Sequence, residues 1–171
     1  MDTVLIANRG EIAVRIIRAC RKMGLSTVAV CSEADMDSMH AQMADHTACI
    51  GPKSLKKSYL NINALLAVAR AYKARYVHPG VGFLSENMDF RRACREQGLI
   101  FIGPEASVME ALSDKLAVKN RLSGLGIPVI PGGTEPVRLV PEGLAVAREI
   151  GFPVLLKAAF GGGGMGIRRV D

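Results

Sequence analysis

The chain has 171 residues, 22 Lys plus Arg against 16 Asp plus Glu for a formal charge of +6, and 49% apolar residues. That length holds one large domain, or one domain and part of a second, and so apolar a composition with 22% charged residues excludes a disordered or fibrous chain. No apolar run approaches the roughly 18 residues of a membrane helix, and the opening MDTVLIANRGEIAV has no basic head before an apolar stretch. A soluble, cytoplasmic protein is expected. Five Phe, three Tyr and no Trp, with basic residues dispersed, do not suit base stacking, so no nucleic-acid partner is expected. The four cysteines, Cys20, Cys31, Cys49 and Cys94, lie far apart with no CxxC and are expected to be reduced core thiols rather than zinc ligands or disulfide partners.

In chain order, Thr3 to Ala7 is a short apolar run that predicts a strand. Asn8 stands where it could cap a helix, with Glu11 at the capping-box position, and Ile12, Ile16, Cys20 and Met23 recur at helical spacing. Gly24 is placed to end that helix. Ser26 to Cys31 (STVAVC) is a continuous β-rich run, as in a strand buried on both faces, so the first thirty residues form a βαβ unit. The alternation continues with strands at 47–50, 75–77 and 99–102 and helices at 61–72 and 88–97. This predicts an α/β fold, a doubly wound parallel sheet.

Gly103 and Pro104 break the rhythm. Two short helices are expected at 105–112 and 114–122, then a linker at 127–133 (IPVIPGG). A domain boundary is expected near Ala111, giving domains 1–111 and 112–171. The second should hold a helix at 141–150 with Pro141 in its first turn, a strand at 154–158, a glycine loop at 161–166 and a returning strand at 167–170. A strand that ends one residue before the terminus leaves its sheet short of partners, so the second domain is expected to be incomplete.

The turn after the first strand, Ala7 to Glu11, has one glycine and an acidic side chain. That disfavours dinucleotide binding, which needs G-x-G-x-x-G there. Gly161 to Gly166 (GGGGMG) is not a Walker A loop, since no Gly-Lys-Ser/Thr follows. Residues without Cβ atoms let a backbone approach an anion closely and present N–H groups to phosphate oxygens, although a plain hairpin loop has the same composition. Such a loop should be mobile until a ligand orders it. Lys157, an ammonium inside the apolar strand VLLKA, is expected to need an anionic partner to offset its burial, although a sheet-edge or snorkelling lysine has the same pattern. Lys115 opens a helix and His78 follows a strand at the edge where open α/β sheets bind ligands, but each alone also suits a structural or solvated role.

Six segments in order, IANRGEIAVRIIRAC, SYLNI (58–62), HPGVGFLSEN (78–87), FIGP (101–104), SDK (113–115) and KAAFGGGGMGIR (157–168), resemble biotin carboxylase, within the ATP-grasp superfamily, over nearly the whole chain. The resemblance implies a Rossmann-like pre-ATP-grasp domain followed by the start of an α+β ATP-grasp domain. It implies ATP-dependent activation of bicarbonate and transfer of the carboxyl group to biotin on a carrier protein, as in acetyl-CoA carboxylase of fatty acid biosynthesis and its relatives. Lys115 and Lys157 match the family's ATP-contacting lysines, and Gly163 and Gly164 the phosphate-touching part of a lid loop. Arg18, on the first helix, resembles a position of the family's homodimer interface, and a carboxyltransferase is the further partner implied. Val81 stands where the family has Tyr near biotin, and Met165 where Arg or Lys is usual.

By the same resemblance, the ligands of Mg²⁺ and the groups handling bicarbonate lie beyond Asp171. The chain alone is therefore expected to be inactive and to bind ATP more weakly than about millimolar. The start Met just before IANRGEIA suggests no long targeting extension. Other readings are a different ATP-grasp ligase or a nonenzymatic α/β module.

Overall fold

The computed structural model describes residues 1–158 and 166–171. They form two compact units, Met1–Ala106 and Ser107–Asp171.

The first unit begins with β1 (Thr3–Ile6), α1 (Gly10–Lys22), β2 (Ser26–Cys31), α2 (Met39–Met43) and β3 (His46–Cys49). It continues with α3 (Ile62–Ala71), β4 (Tyr76–His78), α4 (Met88–Glu96) and β5 (Ile100–Phe101). The five strands are parallel in the order β3-β2-β1-β4-β5. The chain thus winds outward from β1 in one direction and returns to wind outward in the other, the doubly wound topology expected from the alternating pattern.

Alternation along β1 explains why both faces of this sheet carry helices. Leu5 and Ala7 point into one core with Val28, Val30 and Val77, covered by Leu65, Leu66 and Ala69 of α3 and Phe90 and Cys94 of α4. Val4 and Ile6 point into the other, covered by Ala13, Ile16, Ile17 and Cys20 of α1. Fully buried side chains such as Leu65 and Phe90 each stabilise the fold by roughly 1.5–3 kcal/mol.

Two expectations for this unit need correction. Asn8 does not cap α1, whose N-cap is Arg9 with no side-chain bond. Asn8 instead turns inward to the loop after β4, whose free carbonyls compete for its amide. Cys49 is not a core thiol: Cys20, Cys31 and Cys94 are buried, but Cys49 lies exposed on edge strand β3, which has a neighbour on one side only. The loops also hold the short helix α2 and one-turn 3-10 helices at Glu33–Asp35 and Leu55–Lys57, too brief to leave a periodic pattern in the sequence.

Helix starts elsewhere follow side-chain chemistry closely. Asn61 accepts from the Ala64 N–H at 3.1 Å and Asn87 from the Phe90 N–H at 2.8 Å, which satisfies one orphan donor at each end. Gly24, at φ 67, ends α1 in the left-handed conformation that a side chain would oppose.

Around the boundary and into the second unit run α5 (Ala106–Ser113), α6 (Lys115–Gly124), α7 (Val140–Ile150), β6 (Val154–Lys157) and β7 (Ile167–Val170). The last two pair antiparallel, Lys157 opposite Ile167. Among the described residues no helix is long and apolar enough to cross a membrane.

Candidate functional site

In open α/β sheets the ligand crevice lies beyond the strand C-termini where the winding reverses, here between β1 and β4. That place is filled by protein. The Asn8 amide donates to the Pro79 carbonyl at 2.7 Å and the Val81 carbonyl at 2.9 Å, and its Oδ1 accepts from the Arg9 N–H at 2.9 Å. Gly80, at φ 70, lies so close that an added Cβ would stand 2.5 Å from the Asn8 amide nitrogen and 2.8 Å from Ile12. His78 accepts from the Gly80 N–H at 3.1 Å through Nδ1, and burial pushes its pKa down, so it is a neutral clasp of the same turn.

Beside this turn is a cluster that no single sequence motif announces. One carboxylate oxygen of Asp35 accepts from Tyr59 OH at 2.7 Å, Ser32 Oγ at 2.7 Å and Arg9 Nη1 at 3.3 Å. Tyr59 stacks on Phe83 with centroids 5.2 Å apart, and the Arg9 guanidinium lies over both rings at 5.3 and 5.7 Å. Burial alone would push the Asp35 carboxyl up, but the hydrogen bonds from Tyr59, Ser32 and Arg9 outweigh it and hold it below the usual carboxylate range. Tyr59 moves the opposite way, its phenol pushed well up by burial and by Asp35. Arg9 and Tyr59 belong to the segments IANRGEIAVRIIRAC and SYLNI, but only the fold joins them to Asp35 and Phe83. Val81, on the outer side of this turn, is 70% exposed.

The second unit holds the two lysines singled out above. Lys115 is the first residue of α6 and exposed; Asp114 caps that helix, its Oδ1 accepting from the Leu116 and Ala117 N–H groups at 2.9 and 3.1 Å. Lys157 is the last residue of β6 and also exposed. The expectation that Lys157 is buried in an apolar strand is thus corrected. A two-stranded hairpin has no sheet neighbours to cover it, and Leu155 and Leu156 themselves remain 57% and 51% exposed. The Ala158 N–H extends the ladder to the Gly166 carbonyl at 3.0 Å. Gly163 and Gly164, with Met165, lie outside the described residues.

A further lysine, which the sequence reading passed over, has a structural role. Lys119 on α6 donates to the Gly132 and Gly133 carbonyls at 2.7 and 3.3 Å, while Asn120 donates to the Thr134 carbonyl at 3.0 Å. The segment read as a linker is therefore fastened to α6.

Among the described residues no three His, Cys, Asp or Glu side chains are grouped to hold a metal ion. Lys115 and Lys157 are two exposed ammonium groups on separate elements of one unit.

Residues 1–109 match the family described as biotin carboxylase, N-terminal domain, and residues 114–171 match the carbamoyl-phosphate synthase L chain, ATP binding domain. Biotin carboxylase 1 of Bacillus subtilis is 50% identical over 165 residues, covering 96% of this chain and 37% of that protein. A biotin carboxylase–β-γ-ATP complex from Campylobacter jejuni is similar with a TM-score of 0.94 and 44% identity, covering 99% of this chain and 38% of that one. The biotin carboxylase domain dimer of Hydrogenobacter thermophilus 2-oxoglutarate carboxylase, in complex with MgADP, ADP and bicarbonate, is similar with a TM-score of 0.91 and 45% identity, covering 98% of this chain and 37% of that one. The chain spans 37–38% of the length of these relatives.

Proposed function

The chain belongs to the biotin carboxylase family, and from that premise we propose that it supplies part of the site for ATP-dependent carboxylation of carrier-bound biotin with bicarbonate. The observation that carries the proposal is the succession of the two matched domains, 1–109 and 114–171, in one chain. The domain division we propose, 1–111 and 112–171, falls within α5.

Lys115 and Lys157 are proposed to neutralise the ATP phosphates, each ammonium gaining strength as the site closes and water leaves. Gly163 and Gly164 are proposed to cover the phosphates with backbone N–H groups. Exclusion of water would protect the labile mixed anhydride of bicarbonate and phosphate. The exposed side of α1, with Arg15 and Arg18, is proposed as the homodimer surface. A biotin carboxyl carrier and a carboxyltransferase are the other partners proposed, and the cytoplasm the compartment. The described residues do not fit Mg²⁺, so no step here runs through it.

The test is bicarbonate-dependent ATP cleavage by the complete polypeptide that carries these 171 residues. Lys115→Gln and Lys157→Gln should each lower turnover about 10²-fold, near the effect of deleting one preorganised donor to a developing charge. Stimulation by free biotin distinguishes this reaction from that of an ATP-grasp ligase acting on another acid. Turnover untouched by both substitutions contradicts the assignment of the lysines.

A further inference from the structure

Parallel pairing of β2 and β3 sets Cys31, the last residue of one strand, directly beside Cys49, the last residue of the other. Directly paired residues project to the same face of a sheet, so the two thiols leave the backbone side by side. Each sulfur also reaches a carbonyl of the same corner, Cys31 Sγ to Ala48 at 3.8 Å and Cys49 Sγ to Gly51 at 3.9 Å. Neighbouring strands run about 4.8 Å apart, inside the roughly 4.4–6.8 Å Cα separation that a disulfide spans.

The two sulfurs differ in access. Cys49 is exposed on the edge strand, whereas Cys31 is 1% exposed beneath it. Burial, then the neighbouring Cys49 and Asp35, push the Cys31 thiol up, so it is held protonated as a reserve while Cys49 meets solvent. Cys20 on α1 and Cys94 on α4 are buried on other elements, and burial pushes the Cys94 thiol up to about 11. Neither has a comparable partner among the described residues.

We propose that Cys31 and Cys49 are a redox-responsive dithiol, a modification site in which hydrogen peroxide converts the pair to a disulfide that staples edge strand β3 to β2. In the first step Cys49 sulfur attacks a peroxide oxygen; an S–O bond forms, the O–O bond breaks and one water leaves, giving a sulfenic acid. In the second, Cys31 sulfur attacks Cys49 sulfur; the S–S bond forms, the S–O bond breaks and a second water leaves. The two thiols lose two protons and two electrons, and peroxide is reduced to two waters. The bridge falls one residue before Ser32, so the oxidised strand end directly abuts the Tyr59–Asp35 cluster.

The test uses the folded chain with peroxide at about pH 8, near the ordinary cysteine pKa, then alkylation, digestion and mass spectrometry. The expected product is a Cys31–Cys49 linked peptide lighter by two hydrogens and reversed by dithiothreitol, with titratable thiols falling from four to two. Cys31→Ser should leave Cys49 as a sulfenic acid that dimedone traps, and Cys49→Ser should leave Cys31 unmodified. The proposal is overturned if the unsubstituted chain yields Cys49 as a lasting sulfenic or sulfinic acid beside an alkylated Cys31. It is equally overturned by a Cys49–Cys49 dimer, or by a bridge that includes Cys20 or Cys94.

Discussion

At Asp35 three donors share one carboxylate oxygen, and removal of that charge weakens all three bonds, that of the buried Tyr59 included. Hydrogen bonds to a charged group are worth about 1.5–3 kcal/mol, so Asp35→Asn should lower the unfolding free energy by an amount in that range, read by urea denaturation. The pH dependence has a fixed sign. The folded Asp35 pKa lies below its unfolded value of about 3.9. Its contribution is therefore present above that value and lost as pH falls through the folded pKa. Acid titration of stability should be less steep below about pH 4 in Asp35→Asn than in the unsubstituted chain. Asp45, held low by its hydrogen bonds from Thr27, keeps the remaining slope. At Gly80 the conflict is steric: an alanine Cβ would meet Asn8 at 2.5 Å while φ stays at 70. Gly80→Ala should cost about 2 kcal/mol or more by the same measurement, from overpacking and a disfavoured backbone together.

Among the elements, α6 depends most visibly on a single residue. Asp114 satisfies two of its orphan N–H groups, so Asp114→Ala should destabilise the second unit by about 1 kcal/mol, seen as an earlier loss of helical circular dichroism on heating. The same helix begins with Lys115, so the cap that orders the first turn also sets where that ammonium stands. Helix α1 buries Ala13, Ile16, Ile17 and Cys20 and leaves Arg15 and Arg18 outside. If that outer side is the proposed homodimer surface, Arg18→Glu should shift sedimentation of the complete protein toward monomer without loss of helicity. An unchanged dimer would remove α1 from the interface. The β6–β7 hairpin stands in contrast, because two strands with half-exposed leucines have little packing of their own to hold them.

For the whole molecule, coverage of 37–38% of its relatives bears on activity. Lys115 and Lys157 provide positive charge, but the described residues group no metal ligands to share the load of a triphosphate. The 171-residue chain by itself should show no bicarbonate-dependent ATP cleavage and should bind ATP more weakly than about 1 mM, some 4 kcal/mol, by calorimetry. Micromolar affinity would mean that the lysines and the glycine segment form a complete nucleotide site without further chain.

The sequence by itself determined the doubly wound sheet, because runs such as STVAVC and the helical spacing of Ile12, Ile16 and Cys20 are local signals that repeat in register with the fold. It also determined family membership, since six ordered segments carry more information than any one side chain. Tertiary structure decided where Asn8 points, because its amide has two partners more than seventy residues away in the chain. Likewise, Lys157 faces water and Cys49 lies beside Cys31 because of which strands stand at an edge. Local pattern records the period of an element; exposure and long-range partners depend on which neighbours the fold places around it, and no single stretch of chain contains that.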